Sequence, residues 1–464
     1  YIMAVIGAVM VPHPPLIIPE VGRGEEKAIQ KTIDAYHQAA KEIAALQPET
    51  IVVTTPHSIM YGDYFHISPG YDASGDFGQF RVAGVRIHTN YDTAFVEELC
   101  AEADEHGFMA GTLGERDSRL DHGMMIPLYF IDQEYTDYQT VRIGLSGLSF
   151  ADHYTLGQYI QETAIRLGRR TVIVASGDLS HRLKEDGPYG YQEEGPQYDK
   201  RIMEVMGRGK FGELFEFSEN FCQKAGECGH RSFLILAGAM DRMKVKAEAL
   251  SYEGPFGVGY GVCTFRAEGA DENRNFKDQY EERQREKMRE KKEQEDAYVR
   301  LARRSLEGYM IKRVPIEVPD DVPQELLEKK AGVFVSLKKD GRLRGCIGTI
   351  APTTGSVAEE IIQNAVSAAV SARRFPEVAY EELPYLEYSV DVLETPEDIQ
   401  TPDQLDVKKY GLIITKGRKR GLLLPNLEGV DTVEEQIAIT KQKAGIDADD
   451  EDVQMQRFEV VRHR

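Results

Sequence analysis

Short apolar runs alternate with helical patterns along the chain from Met3 to about Arg266. The runs that predict strands cover residues 5–11, 50–54, 140–145 and 171–175. The patterns that predict helices cover residues 25–46, 92–106, 154–166 and 197–208. Alternation of this kind is typical of an α/β fold with helices on both faces of a central sheet. Since ligands of such folds bind beyond the carboxyl ends of the strands, residues that follow strands are the first candidates for function.

The remainder of the chain has a different composition. A chain of 464 residues is too long for one ordinary hydrophobic core, so two or three domains are expected. Residues 272–296 are almost entirely Glu, Lys, Arg, Gln and Asp, which predicts a solvated helix or a disordered tether. We therefore predict a first domain over residues 3–266, a charged helical linker over 267–297 and a second domain over 298–464.

Charge and cysteine content restrict the possible partners. A formal net charge of −21 argues against general nucleic-acid binding, because phosphate backbones require a basic surface. No apolar run approaches the roughly 20 residues that cross a bilayer, and the start of the chain reads as a buried strand without the features of a signal peptide. Five scattered cysteines fit a reduced compartment. We expect a cytoplasmic protein that binds neither nucleic acid nor membrane.

Histidines are concentrated in the first half of the chain, where ten of the eleven lie between His13 and His230. Three follow predicted strands: His13 in Pro-His-Pro, His57 in Thr-Pro-His, and His181 in Ser-Gly-Asp-Leu-Ser-His. His122 lies in a polar Asp-His-Gly segment. Strand ends that each present a histidine are expected to meet in one crevice, and histidine is the commonest metal ligand and acid–base group. The prolines beside His13 and His57 stiffen their turns, which suits fixed metal geometry.

A third metal ligand is expected from the segment Gly-Glu-Cys-Gly-His-Arg. The glycines around Glu227 and Cys228 allow the backbone to bend close to an ion. His13, His57 and Glu227 would form the two-histidine, one-carboxylate triad of non-haem Fe(II) oxygenases. Cys228 is the rival third ligand, and its thiolate would favour copper or zinc. The sequence leaves both assignments open.

Taken together and in order, these motifs resemble the class III extradiol dioxygenase superfamily, whose fold Memo-like proteins share. The resemblance covers most of residues 3–266. It implies that His13 and His57 are metal ligands, that His181 serves acid–base catalysis and that His122 is a second active-site histidine. The dioxygenases use a glutamate as third ligand, whereas the Memo branch places a cysteine before Gly-Arg.

The resemblance also implies a reaction. Fe(II) would bind a catechol-type aromatic substrate, and His181 would accept a hydroxyl proton from it. His122 and Asp178 would hydrogen-bond the substrate or orient the histidines, although Asp178 is equally explained as a helix cap or turn residue. The alternative is a Memo-like metal or redox-binding module without ring cleavage.

The second domain mixes helices and strands. The sequence predicts three helices in this domain: one that starts at Val299, one over residues 356–372 and one over residues 432–444. Apolar runs predict strands at 332–337, 388–393 and 411–415. This mixture predicts an α+β fold.

The segment Leu-Arg-Gly-Cys-Ile-Gly at residues 343–348, with Arg-Arg-Phe-Pro at 373–376, resembles the AMMECR family. Cys346 is either a reactive thiol activated by Arg344 or a small buried cysteine in a strand. The pairing of the two domains resembles the AmmeMemoRadiSam arrangement and implies a radical SAM protein as partner. The chain has no Cys-x3-Cys-x2-Cys motif, so it is not itself the radical enzyme.

Overall fold

A computed structural model describes residues 3–464 of the chain. The chain divides into two compact units, Tyr1–Glu281 and Glu282–Arg464. The division falls within a long, solvent-exposed helix in the charged segment, for which the sequence predicted either a helix or a disordered tether. Among the described residues, no helix is long and apolar enough to span a membrane.

The N-terminal unit is built around one large sheet. Its strands are β1 (Val5–Val11), β2 (Thr50–Thr55), β3 (Phe65–His66), β4 (Asp72–Phe77), β5 (Val82–Asn90), β6 (Ala110–Gly111), β7 (Gln139–Gly144), β8 (Thr171–Ser176), β9 (Met243–Glu253) and β10 (Tyr260–Ala270). Its helices are α1 (Pro19–Gly22), α2 (Gln30–Leu46), α3 (Thr93–Glu105), α4 (His122–Ile131), α5 (Phe150–Leu167), α6 (Glu194–Gly207), α7 (Glu219–Ala225), α8 (His230–Ala239) and α9 (Phe276–Gln294), the last of which continues into the second unit.

The large sheet has the order β7-β2-β8-β1-β10-β9, and β7, β2, β8 and β1 run parallel. The α/β fold predicted from the sequence is confirmed. All four predicted strands belong to this parallel part, whose residues are buried on both faces and therefore form continuous apolar runs. The antiparallel pair β9 and β10 was not predicted. β9 is the edge strand, and exposed charged residues such as Lys244, Lys246 and Glu248 interrupt its apolar pattern.

Helices cover both faces of the sheet and define two cores. On one face, α2 packs Tyr36, Ala39 and Ile43 against β1 and β8. On the other face, α5 and α8 pack closely together. A Cβ at Gly238 would lie 1.9 Å from the carbonyl oxygen of Tyr154, so only glycine permits this contact.

A β4–β5 hairpin lies over the start of α4. The backbone N–H of Leu120 donates to the carbonyl of Ser74 at 3.1 Å, and a Cβ at Gly75 would lie 2.7 Å from the carbonyl oxygen of Leu120. The hairpin is thus held against the segment that carries His122.

The C-terminal unit contains two antiparallel four-stranded sheets. Its helices are α10 (Ala297–Lys312), α11 (Gln324–Glu328), α12 (Val357–Val370) and α13 (Val433–Ala444). Its strands are β11 (Val333–Lys339), β12 (Arg342–Gly348), β13 (Leu386–Leu393), β14 (Glu397–Ile399), β15 (Gly411–Lys416), β16 (Lys419–Leu423), β17 (Gln454–Phe458) and β18 (Val460–His463). The sheet orders are β12-β11-β13-β18 and β14-β17-β15-β16. The predicted α+β fold is confirmed.

Candidate metal centre

His13 lies at the centre of the candidate site, two residues beyond the end of β1. Its backbone N–H donates to Oδ1 of Asp178 at 2.8 Å, and the Tyr36 hydroxyl donates to the carbonyl of Pro12. Nδ1 of His13 lies 2.9 Å from Oγ of Ser176, the last residue of β8. With Nδ1 engaged by Ser176, the ring is held with Nε2 directed into the crevice.

Two further histidines meet His13. Nε2 of His57 lies 3.0 Å from Nε2 of His13. The ring centroid of His122 lies 4.0 Å from that of His57 and 5.4 Å from that of His13. His13 is buried, His122 is half-buried and His57 is exposed, so the cluster opens to solvent on the side of His57.

His122 is the first residue of α4 and is positioned by a buried ion pair. Asp121 caps the helix by accepting from the backbone N–H of Met124, and it also accepts from the Thr55 hydroxyl at 2.7 Å. Arg142 donates to Oδ2 of Asp121 at 2.8 Å from within β7. Asp121 belongs to the Asp-His-Gly motif, but its role is not predictable from that motif, because its partner Arg142 lies on a strand distant in the chain.

Asp178 and His181 follow β8, as the parallel topology requires. Oδ2 of Asp178 lies 3.8 Å from Nε2 of His13 and 3.9 Å from Nε2 of His181. Nδ1 of His181 lies 2.6 Å from the carbonyl oxygen of Gly226. Asp178 therefore links two histidines, and neither a helix cap nor a simple turn describes its contacts.

The structure places Cys228 next to His13, whereas Glu227 lies in neither of the groups of described residues that could hold an ion. Sγ of Cys228 lies 3.6 Å from Nε2 of His13 and accepts from the backbone N–H of Asp178 at 3.2 Å. The carboxylate of Glu227, the expected third ligand of an iron triad, accepts from the backbone N–H of His230 at 2.6 Å, at the start of α8.

Close backbone approach makes this arrangement possible. A Cβ at Gly177 would lie 2.1 Å from Cα of Gly229, so the loop after β8 and the loop before α8 touch through two glycines. That contact places Cys228 beside Asp178.

Among the described residues, two groups of side chains have donor atoms close enough to hold a metal ion, and they share His13. One group is His13, His57 and His122, and the other is His13, Asp178 and Cys228. The first offers three imidazole nitrogens, and the second offers nitrogen, oxygen and sulfur. Such donors suit transition metals rather than Mg²⁺ or Ca²⁺.

Burial keeps the histidines uncharged. Burial, together with His57, lowers the pKa of His13 well below its ordinary value. Burial also lowers the pKa of His57, and burial with the neighbouring histidines lowers that of His122 to about 3. Neutral imidazole is the form that binds metal.

The acidic groups of the site respond in the opposite direction. Burial raises the pKa of Cys228 well above its ordinary value, with Asp178 adding to the effect, and burial also raises the pKa of Asp178. A cation at this position would offset both effects, because it stabilises thiolate and carboxylate.

In the C-terminal unit, Cys346 lies on β12. The Ser336 hydroxyl donates to its sulfur at 3.2 Å, and burial raises its pKa. Arg344 instead pairs with Glu382 at 2.9 Å and donates to the carbonyls of Pro376 and Glu377. Arg344 is therefore committed to a structural ion pair, which argues against activation of Cys346 by Arg344. The alternative prediction of a small buried cysteine is met in part, because Cys346 lies in a strand and is half-buried.

Comparison with known families agrees with the fold and the site. The family described as "Catalytic LigB subunit of aromatic ring-opening dioxygenase" matches residues 7–263, and the AMMECR1 family matches residues 299–463. The chain therefore belongs to the LigB family and carries an AMMECR1 domain in its second unit. The two-domain resemblance stated from the motifs is confirmed.

The relatives match either the whole chain or about a third of it. Protein CA_C1420 of Clostridium acetobutylicum is 44% identical over 476 residues, and the match covers 100% of both chains. A protein of Thermotoga maritima is 50% identical over 171 residues, covering 37% of this chain and 98% of its own. The crystal structure of protein PH0010 from Pyrococcus horikoshii is 40% identical and covers 36% of this chain and 88% of its own, with a TM-score of 0.34.

Proposed function

We propose that the N-terminal unit is a metal-dependent oxidoreductase of the extradiol dioxygenase type that acts on a catechol-like aromatic. The ion, Fe(II) in our proposal with copper or zinc as alternatives, is bound by His13, which the two groups share, by His57 of the first group and by the thiolate of Cys228 of the second group. The observation that carries the proposal is the convergence of Nε2 of both histidines, 3.0 Å apart, with the Cys228 sulfur 3.6 Å from His13. Imidazole and thiolate together suit these three metals.

The residues around the ion have distinct tasks. Ser176 fixes the ring of His13, and the hydroxyl of Tyr36, which donates to the carbonyl of Pro12, holds the turn before His13. When bound, the ion would act as a Lewis acid that lowers the pKa of the substrate hydroxyls. His57, on the exposed side, marks the face from which substrate enters.

His181 is the proposed acid–base residue. Its Nδ1–H donates to the carbonyl of Gly226, which leaves the lone pair of Nε2 free to accept a hydroxyl proton from the substrate. The Asp178 carboxylate, 3.9 Å from Nε2, stabilises the imidazolium that forms. The proton is thus held on Nε2 of His181 beside the substrate ring, from where His181 can donate it back to the substrate.

Cys228 in place of Glu227 supports a second candidate function. A thiolate ligand suits a metal or redox module that works with a radical SAM protein and does not cleave rings, in keeping with the pairing of this unit with an AMMECR1 domain.

Metal content tests the proposed ligands. Cys228→Ser should lower metal affinity by more than about tenfold, because it removes a ligand. Glu227→Gln should retain the metal, since the amide oxygen can still accept from the backbone of His230. His88→Ala, at an exposed histidine, is the control. Metal loss in Glu227→Gln with retention in Cys228→Ser contradicts the ligand assignment.

Oxygen uptake separates the two candidate functions. Extradiol cleavage adds both atoms of one dioxygen to one catechol and needs no external reductant. We expect the Fe(II)-loaded protein to consume oxygen and catechol in equal amounts, and we expect His181→Ala to retain the metal but lose turnover. A metal-replete protein that consumes no oxygen with catechols favours the redox module.

A further inference from the structure

Contacts connect His122, His13, Asp178 and His181 in that order, and an aromatic side chain lies beside the histidine at each end. The two aromatic residues are Phe80 and Tyr189. The ring centroid of Phe80 lies 5.4 Å from that of His122, and the ring centroid of Tyr189 lies 5.3 Å from that of His181. Both meet their histidine nearly edge-on, at 85° and 89°. Between these ends, His122 contacts His57 and His13, and Asp178 connects His13 to His181.

Phe80 is brought to the site by the tip of the β4–β5 hairpin. Phe77, fully buried at the end of β4, anchors the tip in the core. The turn then closes through Arg81, which adopts a left-handed backbone conformation with φ of 65°. Nε2 of the adjacent Gln79 lies 3.5 Å from Nδ1 of His122, so the tip meets the histidine with two consecutive side chains.

Tyr189 is brought to the site by the loop between β8 and α6. This loop is tied to the turn between β9 and β10, because the backbone N–H of Leu183 donates to the carbonyl of Gly257 and Nζ of Lys184 donates to the carbonyl of Pro255. The loop is fixed at its base, yet the Tyr189 side chain remains 64% exposed.

The two rings differ in how far they are buried. Phe80 is half-buried and packs on the edge of the core next to Phe77, whereas Tyr189 is mostly exposed. Each ring also faces a histidine of the crevice. Aromatic rings attract other rings at centroid distances of roughly 4.5–7 Å in edge-on or offset geometry. An aromatic ligand beside the histidines would therefore gain from both.

We propose that Phe80 and Tyr189 are the aromatic walls of the ligand crevice and that they select a planar aromatic ring over a saturated ring of the same size. This inference rests on the proposed function, since it names the specificity-determining residues of that site. Neither Phe80 nor Tyr189 supplies a metal ligand, so their substitution is expected to change which organic ligand binds and to leave the metal content unchanged.

The test compares two vicinal diols of the same ring size, one aromatic and one saturated. Because the phenolic hydroxyls of catechol are also more acidic and bind an ion more tightly, the readout is the change in preference between wild type and each variant. Binding of catechol and of trans-1,2-cyclohexanediol is measured by calorimetry on the full-length Fe(II)-loaded protein under anaerobic conditions, with metal content determined on the same samples. Phe80→Ala and Tyr189→Ala should each reduce the preference for catechol by about 3- to 10-fold, because each removes one ring–ring interaction. Phe80→Leu, which keeps apolar volume but not the ring, should behave like Phe80→Ala.

Two tyrosines provide matched controls. Tyr191→Ala changes the same loop as Tyr189, and Tyr71→Ala removes an 82% exposed ring next to the hairpin. Both should leave the preference for catechol unchanged.

If the wall variants keep their metal and their preference for catechol, the wall assignment is overturned and the metal centre stands. If the wild-type protein binds metal but prefers neither diol, the wall assignment is again overturned. If the wild-type protein binds no metal, both proposals fail.

Discussion

The histidines of the site depart from their ordinary titration in the direction that favours metal binding, whereas the thiol of Cys228 departs in the direction that opposes it. The pKa values of His13, His57 and His122 are lowered, so these rings are neutral at pH 7, while the thiol of Cys228 has a raised pKa and is protonated. Metal binding at Cys228 must therefore displace one proton, whereas binding at the histidines displaces none.

This difference gives a pH-dependent affinity. Because one thiol proton is released, the apparent metal affinity of the wild-type protein should rise about tenfold per pH unit between pH 6 and 8. The slope should vanish in Cys228→Ser, whose hydroxyl does not titrate in this range. Competition with a metal chelator at several pH values measures the slope of metal affinity against pH. Equal slopes in the wild-type protein and in Cys228→Ser would contradict thiolate ligation.

The ion pair beneath His122 allows a stability prediction. Asp121→Asn leaves Arg142 buried with its partner uncharged, and Nη1 of Arg142 already has no hydrogen-bond partner. Breaking a buried pair costs about 3–5 kcal/mol of unfolding free energy. The matched control is Asp117→Asn, whose pair with Arg119 is exposed and should contribute no more than about 1 kcal/mol. Urea unfolding measures both, and equal losses would show that burial of the Arg142 pair is unimportant.

At the scale of elements, the loop after β8 is held by a buried carboxyl group on α6. Oδ1 of Asp199 accepts from the backbone N–H of Ser180 at 2.8 Å, and the Tyr252 hydroxyl of β9 donates to Oδ2 at 2.5 Å. The backbone that presents Asp178 and His181 is thus connected to the edge of the sheet. Burial raises the pKa of Asp199 to about 7.

A raised pKa makes this connection pH-sensitive. The folded protein holds the Asp199 proton more tightly than the unfolded chain, so the stabilisation is complete below about pH 4 and is lost as pH rises through about 7. The shift corresponds to roughly 4 kcal/mol as an order of magnitude. Asp199→Asn should flatten this part of the stability–pH curve, while Asp72→Asn at an exposed position should not. Denaturant titrations at pH 4 to 8 provide the measurement, and identical curves for wild type and Asp199→Asn would exclude the effect.

At the scale of the whole molecule, the two units have separate hydrophobic cores and match separate family models, over residues 7–263 and 299–463. Within the second unit, Asp296 caps α10 and pairs with His463, and Glu295 pairs with Arg303. A segment that begins at Glu295 therefore keeps these contacts.

We expect residues 295–464 to fold cooperatively in isolation. A chelator should leave the melting temperature of this segment unchanged and should lower that of the metal-loaded full-length chain. Removing an ion present at 100 times its Kd costs about 2.7 kcal/mol. Differential scanning calorimetry of both proteins measures the two melting temperatures. A chelator that lowers the melting temperature of the isolated segment would show that the C-terminal unit binds metal, which contradicts the proposal.

The sequence by itself determined the α/β and α+β folds and the loops that carry His13, His57 and His181. The reason is local, because fully buried parallel strands form continuous apolar runs and the residues after them must meet at one edge of the sheet. Only the tertiary structure shows that Cys228 lies beside His13 and that the Glu227 carboxylate accepts from the backbone of His230. The two residues are adjacent in sequence, and their placement depends on the Gly177–Gly229 contact. Long-range packing likewise placed Arg142 under Asp121 and carried Phe80 and Tyr189 to the histidines, since no local pattern records contacts between segments so far apart.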